Sequence, residues 1–380
     1  MNFDFSDDQE MLRDSVRKWV EKSYDFERRR AIVKAGGFSA EAWRGLADLG
    51  LLGLQVPEAQ GGMGFGAVDA MVVMEELGRG LVLEPYAAVA LVATHLLQAG
   101  KATSSAALWL EGIARGRPGV ALAQEERHSR YRLGQVQTRA QESGGSWHLS
   151  GTKIMVPAGG EAGAFIVSAR TRGTDDDANG VALFLVSKGE PGIELTSYPT
   201  QDGATAADLV LANATGIELL AAGDAMPALE HAIDIGIAAL CAEAVGAMEK
   251  LVALTVEYMN TRKQFGVPIA TFQALRHRMA DVKMQLELAR SMSYYAALKL
   301  GEPPSSRRRA ISQAKVQLGQ SMRFVGQQCI QLHGGIGVTD EYAASHYFKR
   351  LTVIEMSFGD TMFHLGEVSA RMQDTAGVFA

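Results

Sequence analysis

The stretch Arg262-Lys-Gln-Phe-Gly-Val-Pro-Ile-Ala-Thr-Phe-Gln273 gathers an arginine, an amide and an aromatic ring. A guanidinium presents a rigid fork of donors to phosphate oxygens, and a neighbouring ring offers a stacking face. Arg262, Gln264 and Phe265 therefore suit a pyrophosphate bound beside a flat ring. They also suit an ordinary connection between two helices, a common feature in its own right. Gly266 and Pro268 punctuate the stretch, since glycine tolerates positive φ and proline cannot continue an upstream helix.

Two amphipathic patterns hold these residues in place. Upstream, Met226, Leu229, Ile233, Ile237, Leu240, Ala244, Met248 and Leu251 recur at steps of three and four, which predicts a helix with one buried face. Downstream, Leu275, Met279, Val282, Leu286 and Ala289 resume the period. Arg262, Gln264 and Phe265 thus cluster at a helix end.

Read as Arg-x-x-Phe-Gly-x-Pro-Ile-x-x-Phe-Gln, the stretch resembles the signature of acyl-CoA dehydrogenases, flavoenzymes that desaturate acyl-CoA thioesters. A second family segment follows as Gln331-Leu-His-Gly-Gly-Ile-Gly337. The resemblance implies that both segments grip the FAD of a neighbouring subunit, with Arg262, Gln264, Phe265, Gln331, Gly334 and Gly335 as cofactor residues and Thr361 as a further one. Gly50 to Glu58, Gly61-Gly62-Met63-Gly64 and Glu75-Glu76-Leu77-Gly78-Arg79 are similar to the family's amino-terminal helical domain, where they shape the fold and the acyl-chain wall. Taken alone, the glycine loop at 61–64 is a weak phosphate signal, for it lacks strand-glycine spacing and a P-loop lysine; a surface connection is the simpler reading.

Desaturating a thioester requires a carboxylate to take the α proton, a flavin to accept hydride and donors to hold the thioester oxygen. In the family the carboxylate is a glutamate in an Ile-Tyr-Glu-Gly-Thr-like turn. Here that turn reads Ser357-Phe358-Gly359-Asp360-Thr361, with Gly359 at the glutamate position. Asp360, one residue later, is the candidate base; a helix N-cap in a glycine turn is its alternative role. Glu355 is a weaker substitute. Some relatives carry the base on the helix before the Arg-x-x-Phe-Gly turn, which corresponds here to the vicinity of Gly236. The nearby Asp234 and Glu243 are turned elsewhere by a rotation of about 100° per residue.

The middle of the chain departs as well. The family's Thr-Glu-Pro-x-x-Gly-Ser-Asp stretch appears as Gln124-Glu-Glu-Arg-His-Ser-Arg130 and keeps only the glutamate. Met155-Val156-Pro157-Ala158, after Gly151-Thr152-Lys153, replaces the Trp-Ile-Thr-Asn that walls the flavin in relatives, and Phe363 replaces a glutamine used toward FAD. With the neighbour-reaching segments intact and these altered, the chain resembles the branch containing the pimeloyl-CoA dehydrogenase small subunit and subunits of steroid side-chain dehydrogenases, some of which pair unlike chains. His333 to Tyr342, followed by His346-Tyr-Phe-Lys-Arg350, is similar to that branch.

The resemblance implies an acyl-CoA substrate, FAD, an acceptor such as an electron-transfer flavoprotein, and a homo-oligomer or a hetero-oligomer with an unlike chain. A dehydrogenase or a subunit of one is the first expectation. A partner that completes another chain's flavin site is the second, and a flavin oxidase of the same fold the third.

The totals agree with a multidomain α+β protein. A chain of 380 residues exceeds one compact core, and 47% hydrophobic with 21% charged residues is a globular composition. A net charge of −6 gives no support for nucleic-acid binding. Cys241 and Cys329 fall in apolar helical patterns and read as reduced core residues, which favours a cytoplasmic setting and no metal. The opening Met-Asn-Phe-Asp-Phe-Ser-Asp-Asp lacks the pattern of an export signal, and no apolar run reaches the roughly 18 residues of a membrane span.

Three domains are expected: helical over 1–117, a small antiparallel β-sandwich or barrel over 118–222, and a four-helix bundle over 223–380. The bundle segments lie near 226–261, 271–300, 307–333 and 340–371. Ser6 is a candidate N-cap, Asp175 to Gly180 a solvated hairpin loop, and Arg28-Arg29-Arg30 and Arg307-Arg308-Arg309 solvated helix faces.

Overall fold

The computed structural model describes residues 4–100 and 104–372; Met1-Asn2-Phe3, on which part of the amino-terminal reading rests, lie outside them. Helices α1 (Asp7–Ser23), α2 (Phe26–Lys34), α3 (Ala40–Asp48), α4 (Ala67–Arg79), α5 (Thr94–Ala99) and α6 (Ser104–Ala114) come first. Strands β1 (Val120–Ala123), β2 (Arg139–Ser143), β3 (Ser146–Pro157), β4 (Ala164–Arg170), β5 (Val181–Ser187), β6 (Ile193–Pro199) and β7 (Thr205–Leu220) follow. The chain ends with α7 (Ala225–Thr261), α8 (Gln273–Lys299), α9 (Pro304–His333), α10 (Ala343–Met356) and α11 (Thr361–Ala370). The helical, β, helical order is the one expected. Ser6 caps α1 in a reciprocal box with Gln9: its Oγ accepts from the Gln9 N–H, and the Gln9 side chain accepts from the Ser6 N–H.

The strands form a mixed sheet in the order β1-β4-β2-β3-β7-β5, and the β4–β5 pairing closes it into a small barrel, with β6 alongside β7. The antiparallel expectation is corrected at β1, which runs parallel to β4 from Val120↔Ala164 to Ala123↔Val167. The β2–β3 hairpin intervenes in sequence between β1 and β4, so β4 re-enters in the direction of β1. Phe165, Phe184, Leu149 and Leu209, all fully buried, fill the barrel. The loop at 175–180 does join an antiparallel pair, β4 and β5. It is more than a solvated turn, because buried Arg170 donates to the carbonyls of Gly134, Val136, Asp175 and Asp177 at 2.6–2.9 Å.

By compactness the chain divides into two units, one from Met1–Arg30, Ala67–Val82 and Ile237–Ala380, the other from Ala31–Gly66 and Leu83–Gly236. In the first unit α4 and α7 cross with their backbones in contact. A Cβ built on Gly78 would lie 2.0 Å from the Glu243 carbonyl oxygen, and one on Gly246 only 1.8 Å from that of Glu75. Ion pairs surround the crossing: Arg17 with Glu76 at 2.7 Å, Arg79 with Glu249 at 2.7 Å, and Arg290 with Glu249 at 3.3 Å and Glu75 at 3.7 Å. Burial pushes the Glu75 carboxyl up to about 7 although Arg290 works the other way.

Two arginines expected on solvated faces are buried. Arg29, 1% exposed, donates to the Leu81 carbonyl at 3.1 Å and lies 3.0 Å from His346 Nδ1, and Arg307 is 5% exposed. Their helices pack where the short basic runs alone suggested solvent. The fourth bundle segment is also broken, into α10 and α11, at Ser357–Asp360, where Phe358 and Gly359 both take positive φ. In the second unit the 61–64 loop folds back on the preceding turn, Met63 N–H donating to Gly53 and Gly64 N–H to Val56.

The crossing gives a direct test. Replacing Gly246 by Leu forces α4 and α7 apart, and overpacking of this kind costs about 1–3 kcal/mol or more. The urea midpoint of the variant should fall accordingly; an unchanged midpoint would contradict the crossing.

Candidate cofactor and active site

The organising stretch folds as a tight hairpin at the end of α7. Lys263 pairs with Pro268 and Gln264 with Val267, leaving Phe265 and Gly266 as the two-residue loop, at φ 53° and 80°. Positive φ at both loop residues is the type I′ geometry, which glycine adopts freely and phenylalanine rarely. The Phe265 ring is nevertheless 92% exposed and meets Phe272 edge-on at 6.1 Å. Arg262 anchors the hairpin by its backbone, donating to Tyr258 O and accepting from Ile269 N at 2.8 Å each, while its side chain stands exposed. Gln264 is exposed too, its amide bonded to the Lys263 carbonyl at 2.9 Å.

The structure brings the second segment to the same place. Ile269 from the hairpin, Leu332 from the end of α9 and Met259 from α7 form one buried cluster. His333 stacks between Tyr258 at 4.8 Å and Tyr342 at 5.1 Å, and its Nδ1 is bonded to the Cys329 carbonyl at 2.8 Å. Its Nε2 is buried without a hydrogen-bond partner. Burial lowers the imidazole pKa, so at neutral pH Nδ1 carries the proton and Nε2 is a bare acceptor. Gln331 is exposed, and Gly334 and Gly335 have nothing within 4 Å of where a Cβ would stand. An open glycine pair, an exposed guanidinium and an exposed ring on one patch fit a ligand carrying phosphates and a flat ring system, as FAD does.

Asp360 and Thr361 lie in a different neighbourhood, the α10–α11 turn. Asp360 is the N-cap of α11, its Oδ1 accepting from the Phe363 N–H at 2.8 Å. Thr361 gives both its N–H, at 3.1 Å, and its hydroxyl, at 2.6 Å, to Glu355 Oε1. Glu355 also lies 3.4 Å from Arg323, so its position is fixed by structural partners. Gly359 has φ 114°, and a Cβ added there would sit 2.5 Å from the Phe363 ring and 2.6 Å from His364 Nε2. The family's glutamate position is thus sterically closed in this chain. On α7, Glu243 is held by the Arg350 guanidinium at 2.5 and 2.7 Å, and Asp234 is buried.

In the second unit, the barrel carries its own polar cluster around Met155. Met155, at φ 54° and 49% exposed, gives its N–H to both Tyr198 Oη and Asp208 Oδ1 at 3.2 Å, and Tyr198 donates to Asp208 at 2.6 Å. Glu125, whose backbone carbonyl receives the Ile154 N–H, is pushed up to about 7 by burial. Beside it, fully buried Lys153 donates to Glu126 at 2.7 Å and to Ser168 at 3.0 Å.

The chain belongs to the acyl-CoA dehydrogenase family. The family models for its N-terminal, middle and C-terminal domains match residues 6–117, 121–214 and 225–373. Among curated relatives, a probable acyl-CoA dehydrogenase of Bacillus subtilis, YngJ, is 28% identical over 369 residues, covering 94% of this chain and 96% of that protein. A chain of the ChsE4–ChsE5 complex from Mycobacterium tuberculosis superimposes with a TM-score of 0.89 at 26% identity, covering 99% of this chain and all of that one. A structure titled as the electron transferring flavoprotein of Acidaminococcus fermentans gives a TM-score of 0.90 at 26% identity, covering 98% and 99%. No helix among the described residues is long and apolar enough to cross a membrane.

Sequence reasoning missed the buried cations. Lys315, 1% exposed, interrupts the apolar face made by Ile311, Ala314, Leu318 and Met322, and a lysine in that register was the available signal. Lys153, within Gly151-Thr152-Lys153, carries no such signal. Burial disfavours the Glu126 charge, but Lys153 and the N–H groups of Gln137 and Thr138 hold its carboxyl below the usual range. The stability this contributes is present above the unfolded carboxylate pKa and is lost as pH falls through the lower, folded value. Lys153→Met leaves Glu126 buried without its cation, which costs about 3–5 kcal/mol. Chemical denaturation at pH 7 should register the loss, and the gap to the native protein should narrow in acid.

Proposed function

We propose that the chain acts as an FAD-dependent acyl-CoA dehydrogenase, or as a subunit of one, introducing an α,β double bond into an acyl-CoA thioester. The observation that carries the proposal is the joining of the Phe265 hairpin and the Gly334–Gly335 segment over the Met259–Ile269–Leu332 cluster. FAD, when bound, accepts the hydride that leaves the substrate's β carbon.

The chain's own residues bind and orient. Arg262 offers a charge-assisted fork to phosphate oxygens, Gln264 and Gln331 offer amides, and Phe265 offers a stacking face, while Gly334 and Gly335 let a ligand approach the backbone. This patch is exposed on the chain by itself, which supports a role toward the cofactor of a neighbouring subunit, like or unlike. Thr361 is proposed as a further cofactor contact beside the base turn. Asp360 is proposed to take the α proton, because it places a carboxylate one residue from a position where a side chain is sterically excluded. An electron-transfer flavoprotein is the acceptor that best suits a dehydrogenase of this family. The three-domain division at 117/118 and 222/223 and a cytoplasmic setting go with this reading, the latter supported by two buried free thiols.

Arg262→Ala removes a charge-assisted contact of about 1.5–3 kcal/mol, so FAD affinity should fall roughly tenfold or more. Retention of flavin at the native level would sink the assignment of the hairpin. For the base, Asp360→Asn keeps size and removes proton affinity, and single-turnover bleaching of the flavin by a panel of acyl-CoAs should slow about 100-fold or more. Bleaching at the unmodified rate would take Asp360 out of the mechanism. The flavin content of the chain purified alone then separates an enzyme that holds its own FAD from a partner that acquires flavin only with another chain.

A further inference from the structure

We propose that Lys315 is a positioning residue for the reaction, clamping the Ile354–Asp360 turn from beneath so that its carboxylate is presented in one fixed geometry. The inference rests on the reading that this turn carries the proton acceptor.

The clamp is visible in the bonds. Lys315 Nζ donates to the carbonyl of Ile354 at 2.5 Å, which also accepts the Ser357 N–H at 3.2 Å, and to that of Ser357 at 2.8 Å, at the end of α10 where the helix dipole favours a cation. Among the described residues no carboxylate lies within ion-pair distance of it. His364 completes the grip from α11, with Nε2 donating to the Phe358 carbonyl at 3.0 Å and Nδ1 3.2 Å from Ser312 Oγ. The turn needs holding, since Phe358 sits at φ 57° and Gly359 at φ 114°.

Stability alone is a poor reason for this lysine. The ammonium is buried, and burial pushes its pKa down to about 8, so in the folded chain the charged form is disfavoured at neutral pH relative to water. A buried ammonium without a carboxylate partner is weak evidence of a stabilising role, its desolvation offsetting what its two hydrogen bonds contribute. The titratable groups around it are the Cys241 thiol on α7, Glu355 at the end of α10, Asp360 in the turn and His364 on α11, with Arg323 beside Glu355 and Arg308 near His364. Burial, with Lys315 contributing, takes the histidine down to about 4, so at neutral pH it is an uncharged donor and acceptor. Lys315 is the buried cation beneath the turn, while Arg323 approaches Glu355 at 3.4 Å from an exposed position.

Lys315→Met tests the proposal through three readouts. Hydrogen exchange at amides 358–363 should accelerate while the rest of α9 and α10 keeps its protection. Flavin bleaching by acyl-CoA should slow roughly tenfold or more, the loss expected for a misplaced reacting group. The loss should fall on the limiting bleaching rate and leave the half-saturating acyl-CoA concentration unchanged, because the displaced group acts on substrate already bound. Lys315→Gln, which keeps a neutral donor, should fall between the two, and it is read in the same way if the methionine variant does not fold. Native exchange in the turn with native bleaching overturns the proposal. So does loss of protection throughout α9 and α10, which would make Lys315 an ordinary core residue. If Asp360 is not the base, the exchange change remains and the limiting bleaching rate is unchanged, so that failure is distinct from failure of the clamp.

Discussion

At the crossing of α4 and α7 neither helix can carry a side chain. Gly78 and Gly246 face carbonyl oxygens of the opposite helix at distances no Cβ could occupy. Backbone contact of this kind removes the freedom of α7 to slide or rotate, and the remainder of the first unit is built on that fixed rod. Beyond Gly236 its far end sets the Phe265 hairpin, and Cys241 along its length walls the pocket that holds Lys315. The ion pairs of Arg17, Arg79 and Arg290 add little individually where they are exposed. Their value is to compensate Glu75 and Glu76, which the close approach leaves buried, with Glu249 half-buried beside them.

The chemistry follows from what this rod leaves unsatisfied. An aromatic ring held at positive φ and left almost wholly in solvent has no folding rationale, because phenylalanine loses by the backbone conformation and by the exposure alike. The open glycines at 334 and 335 are on the same patch, with the unpartnered Nε2 of His333 buried beneath it, so the molecule carries there a surface shaped for something that the lone chain does not supply. In the other unit the corresponding economy is different. Met155 is tied by its N–H to Tyr198 and Asp208, so the barrel strand that departs from the family is rigidly ordered and has its own hydrogen-bond network.

The sequence made the architecture readable because periodicity reports burial directly: α7, α8 and α9 fall where apolar residues recur at helical steps. It was silent where a single polar residue joins an apolar face. Arg29 and Arg307 looked like members of solvated basic runs, since charge clustering carries no information on what packs above it. The parallel β1–β4 pairing was hidden for a similar reason, strand runs giving no sign of which partner lies beside them. The hairpin residues stood out by type and spacing, whereas Lys315 and His364, which act by holding carbonyls, have no local motif.

The turn at 357–361 shows why a change at one position of a packed turn seldom comes alone. With glycine at 359 the backbone reaches φ 114°, and the volume a side chain would occupy is filled by His364 and Phe363. Those two residues are there because α11 starts at once, capped by Asp360. The cap, the glycine, the imidazole and the buried ammonium therefore form one arrangement. Restoring a glutamate at 359 would require φ to change, and with it the cap and the placement of His364. Any carboxylate that works from this turn must do so from the geometry these four residues impose, and Asp360 meets that condition because its backbone is the point at which the turn becomes a helix.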